Sequence, residues 1–175
     1  MPEAEAPPSL EAFVAARRRS LLRFAFLLTN DWGHAEDLVQ TALVRVLPKW
    51  GRIAGGDPEA YVRRVMVTSF ISWWRRRSWH EKPVEGVTTP EPAGLVEDGT
   101  DRLTVIRLLA GLPPRQRAVL VLRYYADLSE AATADWLGCS VGTVKSTTAR
   151  ALARLRVDPG LAAAWPKQED GYERT

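Results

Sequence analysis

In this 175-residue sequence, arginine is the residue type whose grouping points to a chemical role, the binding of phosphate groups. Residues 61–80 contain five arginines and no acid, a formal charge of +5, and residues 101–156 also carry +5. The segment between them, residues 81–100, carries −4. Because guanidinium groups bind phosphate oxygens, two basic blocks separated by an acidic one indicate two surfaces for a polyanion. On charge alone, ordinary solvated helix faces explain the pattern equally well.

Residues of the kind that do enzymatic chemistry are sparse. His34 and His80 are isolated, and neither has a second histidine or a cysteine at the spacing of metal ligands. Cys139 is the single cysteine, which excludes an intramolecular disulfide and a cysteine zinc cluster. The pair Gly55-Gly56 is too short for a loop that cradles phosphates. We therefore expect a protein that is not an enzyme, with no catalytic residue, no metal and no cofactor.

The apolar content of 46% indicates a globular chain, not a disordered one. The apolar stretch Leu21–Leu28 is interrupted by Arg23, and no run approaches the roughly 20 residues that a membrane-spanning helix needs. The first ten residues, MPEAEAPPSL, are acidic and rich in proline, which is opposite to the basic and then apolar order of a secretory signal. These features predict a cytoplasmic protein without a membrane partner.

Helical spacing of apolar residues recurs along the chain, and no strand alternation is sustained. We predict a helix over 10–28, a second from the cap at Asp31 to Pro48, a flexible loop over 51–56, and a third helix from the Asp57 cap to about residue 74. The expected fold class is all-α, with two small helical domains joined by a flexible linker. Their predicted bounds are 10–80, an acidic Pro/Gly-rich linker over 81–100, 101–158, and a mobile tail over 159–175.

The segment from Leu128 to Arg156 has the layout of a helix-turn-helix. Ser129 caps a short first helix, Gly138 supplies the positive φ of a sharp turn, and Ser140 caps a second helix. A helix of this kind fits the major groove of DNA, where polar and basic side chains near its start read base edges. A plain helical hairpin with a solvated polar face is the alternative. The residues predicted to contact DNA are Thr143, Lys145, Ser146, Thr147, Ala149 and Arg150.

The sequence LPPRQRAVLVLRYYADLSEAATADWLGCSVGTVKSTTARALARLR, ending at Arg156, resembles the −35 recognition domain of bacterial RNA polymerase sigma factors. It is most similar to the extracytoplasmic-function group, and within it to the SigE-like branch. The order GTVKS and then RAL is specific to such domains, and LuxR-type regulators share the hairpin but not the preceding LPPRQR. The resemblance covers roughly residues 10–156. It implies a factor that binds core polymerase, recognises −35 and −10 elements and assists promoter melting.

The first lobe fits the same resemblance. HAEDLVQTALVRVLPKW, from His34, resembles the helix that docks on the polymerase clamp, and PEAYVRRVMVTSFISWWRRRSWHE, from Pro58, resembles the −10 recognition and melting helix. Arginines could hold the phosphates there, and Trp74 and Trp79 could stack on unpaired bases; core filling is the alternative for tryptophans. The implied core-binding residues are Asp37, Leu38, Gln40, Thr41 and Leu43. The implied −10 residues are Arg63, Arg64, Thr68, Ile71, Trp74, Arg75, Arg76 and Arg77.

Three positions depart from the family pattern and put the exact promoter sequence in doubt. Thr68 stands where Asn is usual, Ser72 where Asp is frequent, and Thr147 where a basic residue is common. The implied partners are core RNA polymerase, through its clamp helices and flap, and promoter DNA. Whether an anti-sigma factor is a further partner is left open by the sequence. A stand-alone DNA-binding regulator that uses the last hairpin alone is a second hypothesis, and a nucleic-acid-modifying enzyme is a third.

Overall fold

The computed structural model describes residues 8–77 and 100–157, with the backbone alone for residue 77 and residues 100–104. Every regular element in these two ranges is helical, as the sequence predicts. The predicted mobile tail and almost all of the predicted linker lie outside the described residues. The helices are α1 (Leu10–Thr29), α2 (Trp32–Val46), α3 (Trp50–Ile53), α4 (Pro58–Arg77), α5 (Thr100–Ala110), α6 (Pro114–Leu120), α7 (Glu130–Leu137) and α8 (Val141–Arg156).

Helix starts in the first range follow the capping residues of the sequence. Ser9 accepts from the Ala12 N–H at 3.2 Å at the start of α1, and Asp31 accepts from the His34 N–H at 2.8 Å at the start of α2. Each side chain thereby satisfies one of the four backbone donors that a helix start leaves unpaired. The predictions for α1 and for the start of α2 are confirmed.

The segment between α2 and α4 is more ordered than the predicted loop over 51–56. Helix α2 passes into a 3₁₀ turn, Leu47–Lys49, and then into the short helix α3. Burial is the physical reason, because Ile53 and Ala54 are each only 8% exposed and Ile53 packs in the apolar cluster with residues of α1, α2 and α4. Non-helical backbone within the predicted loop is confined to residues 54–56.

Helix α4 begins at Pro58, where the Asp57 carboxylate accepts from the Ala60 N–H at 2.9 Å. Its inward face includes Val62, Met66 and Phe70, all completely buried. These residues pack in one cluster with residues of α1 and α2. Helix α4 is therefore packed on α1 and α2 by its inward face, and its opposite face can contact partners.

In the second range, α6 ends in a π-helical turn, Val121–Tyr125. Such turns widen the helix by one residue and are frequent at functional sites. The π-helical turn leads through Asp127, whose φ is 52°, into α7. Helices α7 and α8 then pack on the preceding helices through Ala134 and Val144.

The two described ranges, named lobe one (residues 8–77) and lobe two (residues 100–157), also pack against each other. Phe24 and Phe70 of lobe one and Leu112 and Leu122 of lobe two belong to a single buried apolar cluster. Within the described ranges, no helix has both the length and the apolar character needed to cross a lipid bilayer.

Candidate nucleic-acid and partner interfaces

The turn between α7 and α8 has the geometry of a helix-turn-helix. Ser129 Oγ accepts from the Ala132 N–H at 3.0 Å and so caps α7. Gly138 ends that helix with φ 61° and ψ 42°, a left-handed conformation that glycine adopts without a steric penalty. Ser140 Oγ accepts from the Thr143 N–H at 3.1 Å and caps α8. Every local feature that the sequence predicted for this hairpin is present.

The outer face of α8 presents the basic and small residues expected to face DNA. Lys145, Ala149 and Arg150 are exposed, and Thr143 and Ser146 are half-buried. Lys145 Nζ lies 3.7 Å from Glu130 Oε2 at the start of α7. Because the residues between two basic side chains are small, a groove floor could approach this face closely.

Thr147 lies on the opposite face of α8 from the one presented outward. It is 7% exposed and stands three residues after the buried Val144 and four residues before the buried Ala151. Residues at these spacings share one helix face, so the side chain of Thr147 faces the interior of lobe two and not the outer face on which it was predicted. The next residue, Thr148, is half-buried and donates to the Val144 carbonyl at 2.9 Å.

Arg63, the first arginine of α4, is engaged inside lobe one. Its Nη2 donates to Ser20 Oγ at 2.7 Å and to a carboxylate oxygen of Glu59, and its guanidinium carbon lies 5.3 Å from the centre of the Phe24 ring. Arg17 Nε lies 3.4 Å from the other oxygen of Glu59. A cation held by a hydroxyl, a carboxylate and a ring stabilises the packing of α4 on α1.

Arg64, the next residue, points out of lobe one. Its Nη2 lies 2.9 Å from Asp135 Oδ2 on α7, and its side chain is 46% exposed. One turn further along α4, Thr68 is exposed, while Ile71 is half-buried against the core.

Arg75 and Arg76 extend the exposed basic side of α4 toward its end. Arg76 Nε donates back to the Ser72 carbonyl at 3.4 Å. The side chain of Arg77 and the whole of Trp79 lie outside the described residues.

Trp74 is half-buried against the core, with its ring 6.3 Å from the Phe70 ring and 5.7 Å from the Trp73 ring. Its indole N–H is buried and has no acceptor. The rings of Trp73 and of His34 on α2 form a T-shaped contact, with 4.7 Å between ring centres. A buried donor that lacks a partner costs free energy, so this indole N–H makes the packing around Trp74 less favourable.

Helix α2 has an exposed strip beside its buried face. Asp37, Gln40 and Thr41 are exposed, Leu43 is half-buried, and Leu38 is 8% exposed and packs in the core. Leu38 therefore packs α2 onto the core and does not belong to the exposed strip. Sequence reasoning missed Val44, which is 68% exposed and continues the strip one turn beyond Gln40 and two turns beyond Asp37.

Leu47 follows the strip and is 57% exposed. Exposed apolar residues next to an acid and an amide are typical of a surface that binds another protein. The signal that could have found Val44 is its register, since it falls on the same helix face as Gln40 and Thr41.

Comparisons with known proteins cover both lobes. Residues 13–80 match the family described as Sigma-70 region 2, and residues 102–155 match the family described as Sigma-70, region 4. The chain is 44% identical over 147 residues to the RNA polymerase sigma-E factor of Streptomyces avermitilis, covering 83% of this chain and 82% of that protein. It is 35% identical over 145 residues to the ECF RNA polymerase sigma factor SigL of Mycobacterium tuberculosis, covering 78% and 81%.

A solved structure has a similar fold. The sigma factor RpoE, co-crystallised with the anti-sigma factor NepR from Bartonella quintana, superimposes with a TM-score of 0.63 at 26% identity. The match covers 83% of this chain and 93% of that chain.

Proposed function

The chain belongs to the sigma-70 family of RNA polymerase sigma factors, in its extracytoplasmic-function group, and we propose which of its surfaces carries each part of the family's function. That function is to direct RNA polymerase to promoters, as the resemblance in the sequence predicted.

The −35 element is bound by the outer face of α8. The observation that carries this assignment is the capped, glycine-turned hairpin whose second helix exposes Lys145, Ala149 and Arg150 side by side. Base edges in the major groove offer acceptors to such basic side chains, and the hydroxyl-bearing start of the helix can bind phosphate. Thr143 and Ser146 belong to this surface, whereas the inward-facing Thr147 supports it.

The −10 element is bound by the outer side of α4. Arg64, Arg75 and Arg76 supply exposed cations for the phosphates, and Thr68 lies among them. Trp74 supplies a half-buried ring on which an unpaired base can stack. Arg63 holds α4 on α1 from inside lobe one and so fixes the position of this surface.

Core RNA polymerase is bound by the exposed strip of α2 that Asp37, Gln40, Thr41 and Val44 form. Polar groups that flank an exposed valine suit a helix–helix interface of moderate size. Leu43 lies half-buried at the edge of this strip. The flap of the polymerase is a further contact proposed for lobe two.

We further propose that the chain itself catalyses nothing, because the polymerase performs the chemistry of transcription, and that it acts in the cytoplasm, where the polymerase works. An anti-sigma factor is a proposed partner, since the similar RpoE structure contains one.

Run-off transcription with purified core polymerase tests the assignment. Transcripts from a promoter template selected with the reconstituted holoenzyme should form only when the chain is added. A gel shift of the same DNA without transcripts would instead indicate a stand-alone regulator. A template with a scrambled −35 element is the matched control and should give no transcript.

A further inference from the structure

A hydrogen bond, an ion pair and a contact between two aromatic rings join lobe one to lobe two. The Arg117 Nη1 donates to the Leu28 carbonyl at 3.0 Å, Arg64 pairs with Asp135 at 2.9 Å, and the rings of Phe24 and Tyr125 lie 6.3 Å apart. Beneath them runs the apolar cluster shared by both lobes. These three pairs are named the interlobe contacts.

The Arg64–Asp135 pair involves a residue proposed to bind DNA. Asp135 places a carboxylate where a phosphate oxygen would lie against the Arg64 guanidinium, because the two anions take the same fork geometry. A phosphate that takes the Nη2 donor of Arg64 has to displace the Asp135 carboxylate from it. The first helix of the −35 hairpin therefore competes with −10 DNA for a cation of α4.

The −35 surface is not covered by the same packing. Lys145, Ala149 and Arg150 stay exposed while the lobes are in contact. The closed arrangement thus affects the two DNA surfaces unequally, since it engages a cation of the −10 surface and leaves the −35 surface open.

The distance between the two promoter elements requires the lobes to separate when both elements are bound. The −35 and −10 elements are named for positions 25 base pairs apart, which corresponds to about 85 Å at 3.4 Å per base pair. A folded chain of 175 residues has a radius of gyration of about 16 Å, hence a diameter of roughly 40 Å. The 22 residues between the described ranges can span up to about 75 Å. The connection is long enough for the lobes to separate, and the interlobe contacts must break when they do.

We propose that the closed form is the resting state of the free factor, held by the interlobe contacts, and that Asp135 masks Arg64 until the lobes part. The part concerning −10 DNA rests on the proposed function of α4. The part concerning compactness does not.

Small-angle X-ray scattering of the full chain tests compactness without DNA. The double variant Asp135→Asn/Tyr125→Ala should have a clearly larger radius of gyration than the wild type. Asp127→Asn/Tyr124→Ala is the control, because it removes the same charge and a neighbouring ring from lobe two at exposed positions. Asparagine also tolerates the positive φ of residue 127. The control should keep the wild-type radius.

A charge swap distinguishes loss of the Arg64–Asp135 pair from general unfolding of a variant. Arg64→Asp with Asp135→Arg restores the pair with its sign reversed, and should return the radius of the single Asp135→Arg variant to the wild-type value. Circular dichroism should give all variants the same helix content. A radius that is the same in the wild type and the double variant overturns the proposal, and so does a swap that restores nothing.

Binding of a −10 fragment by the free factor tests the masking. Asp135→Asn should bind the fragment about two- to fivefold more tightly than Asp127→Asn, the size of effect expected from releasing one exposed ion pair. Equal affinities, together with an expanded Asp135→Asn/Tyr125→Ala variant, would leave the resting state intact and remove Arg64 from the −10 surface. Equal affinities with unchanged radii would overturn both the closed resting state and the masking of Arg64 by Asp135.

Discussion

Arg117 and Leu28, 89 positions apart in the sequence, are joined by a hydrogen bond of 3.0 Å from the Nη1 of the arginine to the carbonyl of the leucine. Leu28 lies in the last turn of α1, where backbone carbonyls carry partial negative charge and favour a cation. The other donors of Arg117 reach the carbonyls of Leu109, Ala110 and Leu112 within lobe two. Burial lowers the pKa of Arg117 to about 10, so the guanidinium remains charged at neutral pH.

Arg117→Ala should lower the free energy of unfolding by about 3 kcal/mol or more. The substitution leaves buried carbonyl oxygens without donors, and each such group costs about 1–3 kcal/mol. Chemical denaturation followed by circular dichroism measures the change. Arg115→Ala, an exposed position on the same helix, is the control and should change the stability by less than about 0.5 kcal/mol. Equal losses from both variants would contradict a specific role for Arg117.

Gly138→Ala should destabilise lobe two by about 1–2 kcal/mol, because an alanine at φ 61° pays the left-handed penalty of an L-residue. A Cβ at this position would meet no heavy atom within 4 Å, so the backbone alone sets the cost. Gly138→Asn should cost clearly less, since asparagine is the commonest substitute at this cap. Thermal melting of the two variants checks the order, and an alanine as stable as the asparagine would refute it.

Arg150→Ala should weaken binding to the −35 element by roughly 1–3 kcal/mol if the guanidinium contacts a base or a phosphate closely. Titration of holoenzyme with a labelled promoter fragment at fixed salt measures it. Arg107→Ala removes an exposed arginine from α5 of the same lobe and should bind nearly as the wild type does. A promoter affinity unchanged in the Arg150 variant would take that residue off the reading face.

Thr147→Val should leave the −35 sequence preference unchanged, because the side chain faces inward and cannot reach a base edge. Ser146→Ala, at the neighbouring half-buried position on the outer face, should alter that preference. Competition among −35 variants for the holoenzyme separates the two. A shifted preference in the valine variant would show that Thr147 does reach the groove.

Asp37→Ala with Gln40→Ala should reduce binding to core polymerase while the fold stays intact, and Val44→Asp should do the same on its own. All three side chains are exposed, so their loss costs little stability. Ala15→Asp adds the same charge on an exposed face of α1 and is the control. Co-purification with core enzyme is the measurement. If it survives both sets of changes, the docking surface lies elsewhere.

Local chemistry made the helix starts and the hairpin predictable. Asp31, Asp57, Ser129 and Ser140 cap the helices that they precede, and each cap depends on a side chain and a backbone N–H only three residues apart. Gly138 turns the chain for a reason contained in one residue, its missing Cβ. The motifs of both lobes were also readable, because the order of residue types along a helix face survives in the sequence.

What only the tertiary structure decided depends on residues far apart in the chain. Arg63 points inward because Ser20, Glu59 and Phe24 surround it. The predicted loop over 51–56 is shorter than expected because Ile53 is buried. Thr147, which was predicted to contact DNA, points inward because lobe two packs on that side of α8. The pairing of Arg64 with Asp135 belongs to the same class, since a contact between elements is fixed by how whole faces pack and not by the spacing within either element.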